Sequence, residues 1–304
     1  MTVVNSPILR TSVAILNLAL VPIVLPTYLI VIWMYSKNNN FKAVFSYKIM
    51  LFGGIFDCFY CFSMGQAGLM TYLKKTLFEG FHMFGAGIQI SYLSLAPVLS
   101  FLLAVHRLLI VWRIRSVRKM VFKLLIVATC VGAVLIPVGT SATRMQFGYD
   151  VAISDTYYYD GKTLYAKIII NFGFAFLVLT LLCYFLIAVS FAYQVQRSED
   201  LNELLDYQKI NHGHTRNLSK HEVFLILQAF LLFFPFATTR TIVFCCNMAI
   251  FSEPALHAGF MLTSSLIPAV NLVVHFVSNS LIRKGFAEIT HRKFKAASKL
   301  FSVT

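Results

Sequence analysis

Seven long apolar segments run through the chain, at about 12–35, 45–72, 82–112, 121–143, 164–195, 221–248 and 255–282. Nothing else in the sequence limits the fold so strongly. A stretch of roughly 20 apolar residues crosses a ~30 Å hydrocarbon core as a helix, and lipid offers the backbone no other partners. Polar breaks separate the segments, among them "SKNNNFK", "LKKTLFEG", "RIRSVRK" and "FSEPALH". Composition agrees, with 58% hydrophobic and 12% charged residues and a mean hydropathy of +0.74. Soluble domains carry about twice that charge. The expected fold is an all-α integral membrane protein, a seven-transmembrane helix bundle in one domain, with a cytoplasmic tail over 283–304.

An odd number of spans puts the termini on opposite sides, and the positive-inside rule chooses between them. With the N-terminus outside, the inner loops and tail hold 19 of the 26 Lys and Arg residues, and the outer segments hold 6. The expected orientation is therefore an extracellular N-terminus. About eleven residues precede the first span, so no outer binding domain is expected and a ligand must enter the bundle. The net charge of +14 then belongs to cytoplasmic loops against the anionic headgroups of the lipid bilayer, not to nucleic acid. The sequon Asn217-Leu218-Ser219 falls on the cytoplasmic side.

All six cysteines (Cys58, Cys61, Cys130, Cys183, Cys245, Cys246) lie inside apolar segments, so buried thiols are expected in place of a disulfide framework. In the tail, Phe286, Ile289, Phe294, Ala297 and Leu300 cluster at 100° per residue, opposite Lys284, Arg292, Lys295 and Lys299. That pattern predicts an eighth, interfacial amphipathic helix.

Particular residues carry a resemblance. Span seven ends "NLVVHFVSNSLIRKGF", in which Asn271, His275, Asn279 and Ile282 fall within an arc of about 80° on a helix. Span six has "FLLFFPF", an aromatic two residues before Pro235. Span two carries Asp57 in "LFGGIFDCF", and span three closes on His106-Arg107. The set resembles the rhodopsin-like G-protein-coupled receptors. Their Asn-Pro-x-x-Tyr segment corresponds to Asn271 with Leu272 for Pro and His275 for Tyr. The Asp-Arg-Tyr motif corresponds to Arg107, with His106 for the acid. Phe233 stands where the span-six Trp is usual. "SYKIMLFGGIFDC" with this variant close of span three is similar, more narrowly, to the nematode serpentine receptor class T chemoreceptors.

The resemblance implies roles. Asp57, Asn271, His275, Asn279 and Pro235 would form an activation switch, and Arg107 with His106 would couple to a heterotrimeric G protein. It also implies a plasma-membrane location, in cilia of sensory neurons, and a small odorant or pheromone-like ligand in the service of olfaction. Arg107 has a second reading, an arginine that snorkels to lipid phosphate. Asp57 near mid-membrane costs about 2.5–3.5 kcal/mol on insertion scales and so needs a partner. Asn271 is the natural one. A sodium ion and a protonated, hydrogen-bonded carboxyl are both open, although span three offers Ala96 where a hydroxyl is usual. The outer end of span three and the loop 144–163 lack the cysteines usually bridged there. A hairpin around "YYYDGK", turning at Asp160-Gly161, is expected to order that loop instead.

Gln89, Tyr92, Ala96, Ser100 and Arg107 share a face of span three. Phe233 and Arg240 share a face of span six, about 10 Å apart at 1.5 Å per residue. An acidic ligand could lie among Arg240, Gln89, Tyr92, Phe233 and Phe236. Equally, Arg240 could reach the interface or bridge to the 144–163 loop. No cofactor or metal site is expected. Residues 255–282 contain no lysine for a retinal Schiff base, and the spans contain no enzyme's constellation. A seven-span ligand-gated channel of the insect odorant-receptor type requires the opposite orientation.

Overall fold

The computed structural model describes residues 7–37, 45–112, 114, 119–142, 147–150, 155–158, 164–205, 226–239, 241–242, 254–279 and 282–288. Among these residues the helices are α1 (Pro7–Lys37), α2 (Phe45–Leu73), α3 (Glu79–Val111), α4 (Lys119–Ala142), α5 (Leu164–Leu205), α6 (Ile226–Thr239), α7 (Pro254–Ser278) and α8 (Ile282–Glu288). A two-stranded hairpin, β1 (Phe147–Asp150) and β2 (Asp155–Tyr158), lies between α4 and α5.

Thr11–Lys37, Phe45–Leu73, Gly80–Val111 and Asn171–Tyr193 are each long and apolar enough to cross a membrane. Burial is arranged for lipid. Asn17, Asp57, Gln66, Gln89, Thr180 and Gln228 are buried, while Leu29, Val178, Leu182, Phe185 and Val273 are exposed. A water-soluble domain distributes these types the other way. The chain is an integral membrane protein.

Within the bundle α3 is central, packing on α2, α4 and α5, with β1 against it. The tightest pairing is α1 on α2, and small residues make it possible. A Cβ on Gly68 would stand 2.9 Å from the Ala14 carbonyl, and one on Gly65 would collide with Val21. At Gly54 the fit is looser: a Cβ there would meet the Tyr28 ring at 3.5 Å, an ordinary contact. At the far end the chain turns by 92° between Leu262–Ser278 and α8. Arg283 donates to the Phe276 carbonyl at 2.8 Å, covering an end that the helix leaves without partners. Phe286 meets Phe276 edge to face at 5.1 Å, and Ile282 is fully buried. The rest of the expected amphipathic tail lies outside the described residues.

Two local expectations are corrected. The hairpin forms, but it does not turn at Asp160-Gly161. Asp150 pairs with Asp155, so residues 151–154 make the connection. This register sets Phe147 opposite Tyr158 and Tyr149 opposite Thr156. Such aromatic and β-branched pairs hold a sheet better than the Lys162 and Thr163 that a later turn would bring over. α5 also continues to Leu205, past the expected end near 195. Neither glycine nor proline occurs between Gly173 and Gly213, and Glu199, Glu203 and three leucines favour helix there.

Candidate functional site

Four helices converge on Asp57. Its carboxyl group is 4% exposed, on the face of α2 turned toward α1, α3 and α7. Tyr28 of α1 donates to Oδ2 at 2.6 Å. Tyr92 of α3 donates to Oδ1 at 2.6 Å. Asn271 of α7 places Nδ2 at 3.3 and 3.2 Å from the two oxygens. Each oxygen thus has a phenol and an amide beside it, which is how a buried carboxyl group satisfies its lone pairs without an ion. Phenol contacts this short are typical of charge-assisted bonds. The expected Asp57–Asn271 pairing is present, and two tyrosines complete it.

Tyr92, expected at the ligand site, is turned to Asp57. Its hydroxyl is committed to Asp57, its ring stacks on Tyr60 at 4.1 Å, and Phe236 meets it edge-on at 6.1 Å. Tyr28 has no place in the expected site. The one signal for it was a hydroxyl near the middle of the first apolar run, where a polar group needs a partner.

One turn inward on α7, His275 joins α1, α6 and α7. Its Nδ1 stands 3.1 Å from Tyr35 Oη and 3.4 Å from Gln228 Nε2. An amide nitrogen only donates, so both contacts exist together only when Nδ1 carries no proton. Another turn on, Asn279 accepts from the Ile282 amide at 3.4 Å at the α7–α8 break and shares a side-chain hydrogen bond with Tyr47. Asn271, His275 and Asn279 make one polar seam down the bundle.

A cavity of about 70 Å³ lies along this seam, walled by Asp57, Tyr92, Ser100, Phe236, Asn271 and His275 among others. Phe233 does not line it. It is 1% exposed and packs on Tyr184 at 5.8 Å. Pro235 sits one residue from Phe236, and its carbonyl accepts from Thr239 Oγ1 at 2.9 Å. Gln89 is buried with Nε2 3.4 Å from Met64 Sδ, two turns before Ala96 on α3. Arg240 lies outside the described residues.

At the C-terminal end of α3, Arg107 is 2% exposed, so the guanidinium points into the bundle and not along a lipid-facing surface. Tyr47 of α2 and Tyr184 of α5 lie within its electrostatic reach. His106 Nδ1 stands 3.0 Å from Ser46 Oγ, and its ring lies 5.3 Å from Phe45. A neutral α2–α3 link thus occupies the place that an acid–arginine pair would take. Cys58, Cys61, Cys130 and Cys183 are free thiols. Cys245 and Cys246 lie outside the described residues.

No protein-family model matches the sequence, and no curated protein does. Among solved structures, squid rhodopsin is similar with a TM-score of 0.71 at 14% identity, over 93% of this chain and 85% of that one. The fold is the rhodopsin-like seven-helix bundle, the fold of G-protein-coupled receptors. At this identity the likeness is one of architecture.

Proposed function

We propose that the chain is a chemosensory G-protein-coupled receptor that binds a small environmental molecule inside the bundle and activates a heterotrimeric G protein. The observation that carries this reading is the burial of Arg107 at the inner end of α3, within a receptor-type fold. There the arginine could meet the backbone carbonyls of an inserted G-protein helix when α6 swings out. The class T serpentine receptors of nematodes are the finer assignment, carried by "SYKIMLFGGIFDC" and His106-Arg107. With it come a plasma-membrane location, in sensory cilia, and an odorant or pheromone-like ligand. The seam from Asp57 to Asn279, with Pro235 on α6, is the switch in this reading. Residues 255–282 contain no lysine, so the ligand is not a retinal Schiff base. The ligand-gated channel is the second class considered, and nothing in the bundle favours it.

Cells expressing the chain, screened with volatile and acidic small molecules and read by calcium and cAMP together, test the reading. A ligand-dependent response is expected. Orientation is tested separately: an epitope tag at Thr2 should be reached by antibody on intact cells, and one after Thr304 should not. The reverse pattern would restore the channel.

For the ligand, an acidic molecule lying between Arg240, Gln89 and Tyr92, with the α6 aromatics Phe233 and Phe236 around its apolar part, fits a mostly apolar site with a few convergent polar groups. Losing a desolvated charge partner costs several kcal/mol. Arg240→Leu should therefore lower agonist potency at least about a hundredfold, at tenfold per 1.4 kcal/mol, and Arg240→Lys should recover part of it. A potent agonist indifferent to Arg240→Leu would leave Arg240 as an interface or loop contact.

A further inference from the structure

The faces of α2, α3 and α4 that turn toward one another do not close. They leave a recess of about 860 Å³, which runs from Gly80 at one end of α3 to Tyr92, about 18 Å along the helix. Small residues open it, since Gly80 lacks a side chain and Ala133 of α4 has only a methyl group. Phe59 and Phe84 at its rim are 53% and 55% exposed, so the mouth faces the bilayer and not the bundle interior.

Among the described residues no charged side chain lines this recess. Its two hydroxyls are already used: Ser91 donates to the Gly87 carbonyl at 2.8 Å and Tyr92 donates to Asp57. An ion brought here would lose its hydration with nothing in return. The walls are mainly flat rings, contributed by Phe52, Phe56, Phe59, Phe84 and Tyr92, with the soft side chain of Met83 among them. Rings of this kind favour offset or edge contacts with another ring system, and the volume falls in the range of small-molecule sites.

We propose that this recess is a second binding site, entered sideways from the membrane, for a small uncharged aromatic molecule dissolved in the bilayer. Tyr92 and Phe56 wall both this recess and the cavity at Asp57. An occupant at the inner end therefore presses on a ring whose hydroxyl is one of the two phenols on Asp57. The site stands independently of whether the chain signals through a G protein.

The test uses the full chain in phosphatidylcholine nanodiscs and an uncharged aromatic photolabel, trifluoromethyl-iodophenyl-diazirine, with incorporation mapped by peptide sequencing. Labelling at Phe59, Met83 and Phe84 should saturate and be displaced by unlabelled naphthalene. Labelling at Phe185, 64% exposed on α5, should rise in proportion to probe, as ordinary lipid contact does. Gly80→Trp should abolish the saturable component. Gly80 lines the recess and a Cβ built there meets no neighbouring atom within 4 Å beyond its own helix backbone, so a larger side chain has room to start, and Ala133→Trp provides a second plug. Thermal unfolding confirms that each variant is folded. Labelling of Phe84 that never saturates, and so matches Phe185, would mean that acyl chains merely line the recess. Saturable labelling that survives both plugs in folded protein would place the site elsewhere. Either result overturns the proposal.

Discussion

Asp57 and Arg107 are both buried deep in a chain that lives in lipid, at 4% and 2% exposure, yet their surroundings differ. Asp57 is gripped directly. Three neutral donors from three other helices reach its oxygens at 2.6 to 3.3 Å, and each donor is itself packed, with Tyr28 fully buried and Tyr92 stacked on Tyr60. Arg107 lies within electrostatic reach of Tyr47 and Tyr184, and its neighbours in sequence add further links between helices. His106 joins Ser46 of α2, and Trp112 donates to Ser190 of α5 at 2.7 Å. α6 is tied in nearby through Gln228 and His275 at 3.4 Å, the longest of these contacts. The difference teaches where this bundle resists change and where it yields. Moving α1, α2, α3 or α7 at the Asp57 level strands a buried polar group. Moving α6 near Gln228 gives up one long amide–imidazole contact and the packing of Phe230 and Phe233 on Tyr184.

The largest effect that could break this contrast is expected at Asp57. Asp57→Leu leaves two buried phenols and an amide without an acceptor, at about 1–3 kcal/mol each. Most of the marginal stability of a folded chain should be lost, read as a collapse of surface staining and a large fall in Tm. Asp57→Asn, which keeps one acceptor oxygen, should recover part of it. A folded, wild-type-like Asp57→Leu would show that the four-helix junction carries no weight.

A smaller effect sharpens the same comparison on α2 alone. Gly68→Ala places a methyl group 2.9 Å from the Ala14 carbonyl, so α1 and α2 must separate, at about 1–3 kcal/mol. Gly53→Ala meets nothing within 4 Å and should be neutral, or stabilising by about 0.5–1 kcal/mol through helix preference. Tm values for the two variants should move in different directions. Equal losses would mean that the close α1–α2 contact does not position the Tyr28 phenol.

Much of this architecture could be read from the sequence, because lipid leaves so few solutions. A chain of long apolar runs must become helices, and an aspartate among them must find a partner. The Asn271 seam was readable for a related reason, since polar residues one turn apart on an apolar helix can only face inward. Tyr28 could not be found in that way. A tyrosine packs well as a hydrophobe, and nothing in its periodicity reveals whether the hydroxyl is used. Tyr92 was readable as an inward residue on α3, but its partner depends on how α2 sits, which is governed by where Gly65 and Gly68 let α1 approach. The hairpin shows the limit of local signals. Asp160-Gly161 is the stronger turn dipeptide, and cross-strand pairing over Phe147–Tyr158 prevailed.

The central claim is that Arg107 serves exchange with a partner while Asp57 holds the bundle together. It is tested most directly by agonist-stimulated guanine-nucleotide exchange on a heterotrimeric G protein, measured for wild type and Arg107→Ala at matched surface density. The expected result is that exchange is abolished in Arg107→Ala, while surface staining, Tm and ligand binding stay close to wild type. Exchange at the wild-type rate in the folded variant would contradict the claim and leave Arg107 as an anchor for the inner end of α3.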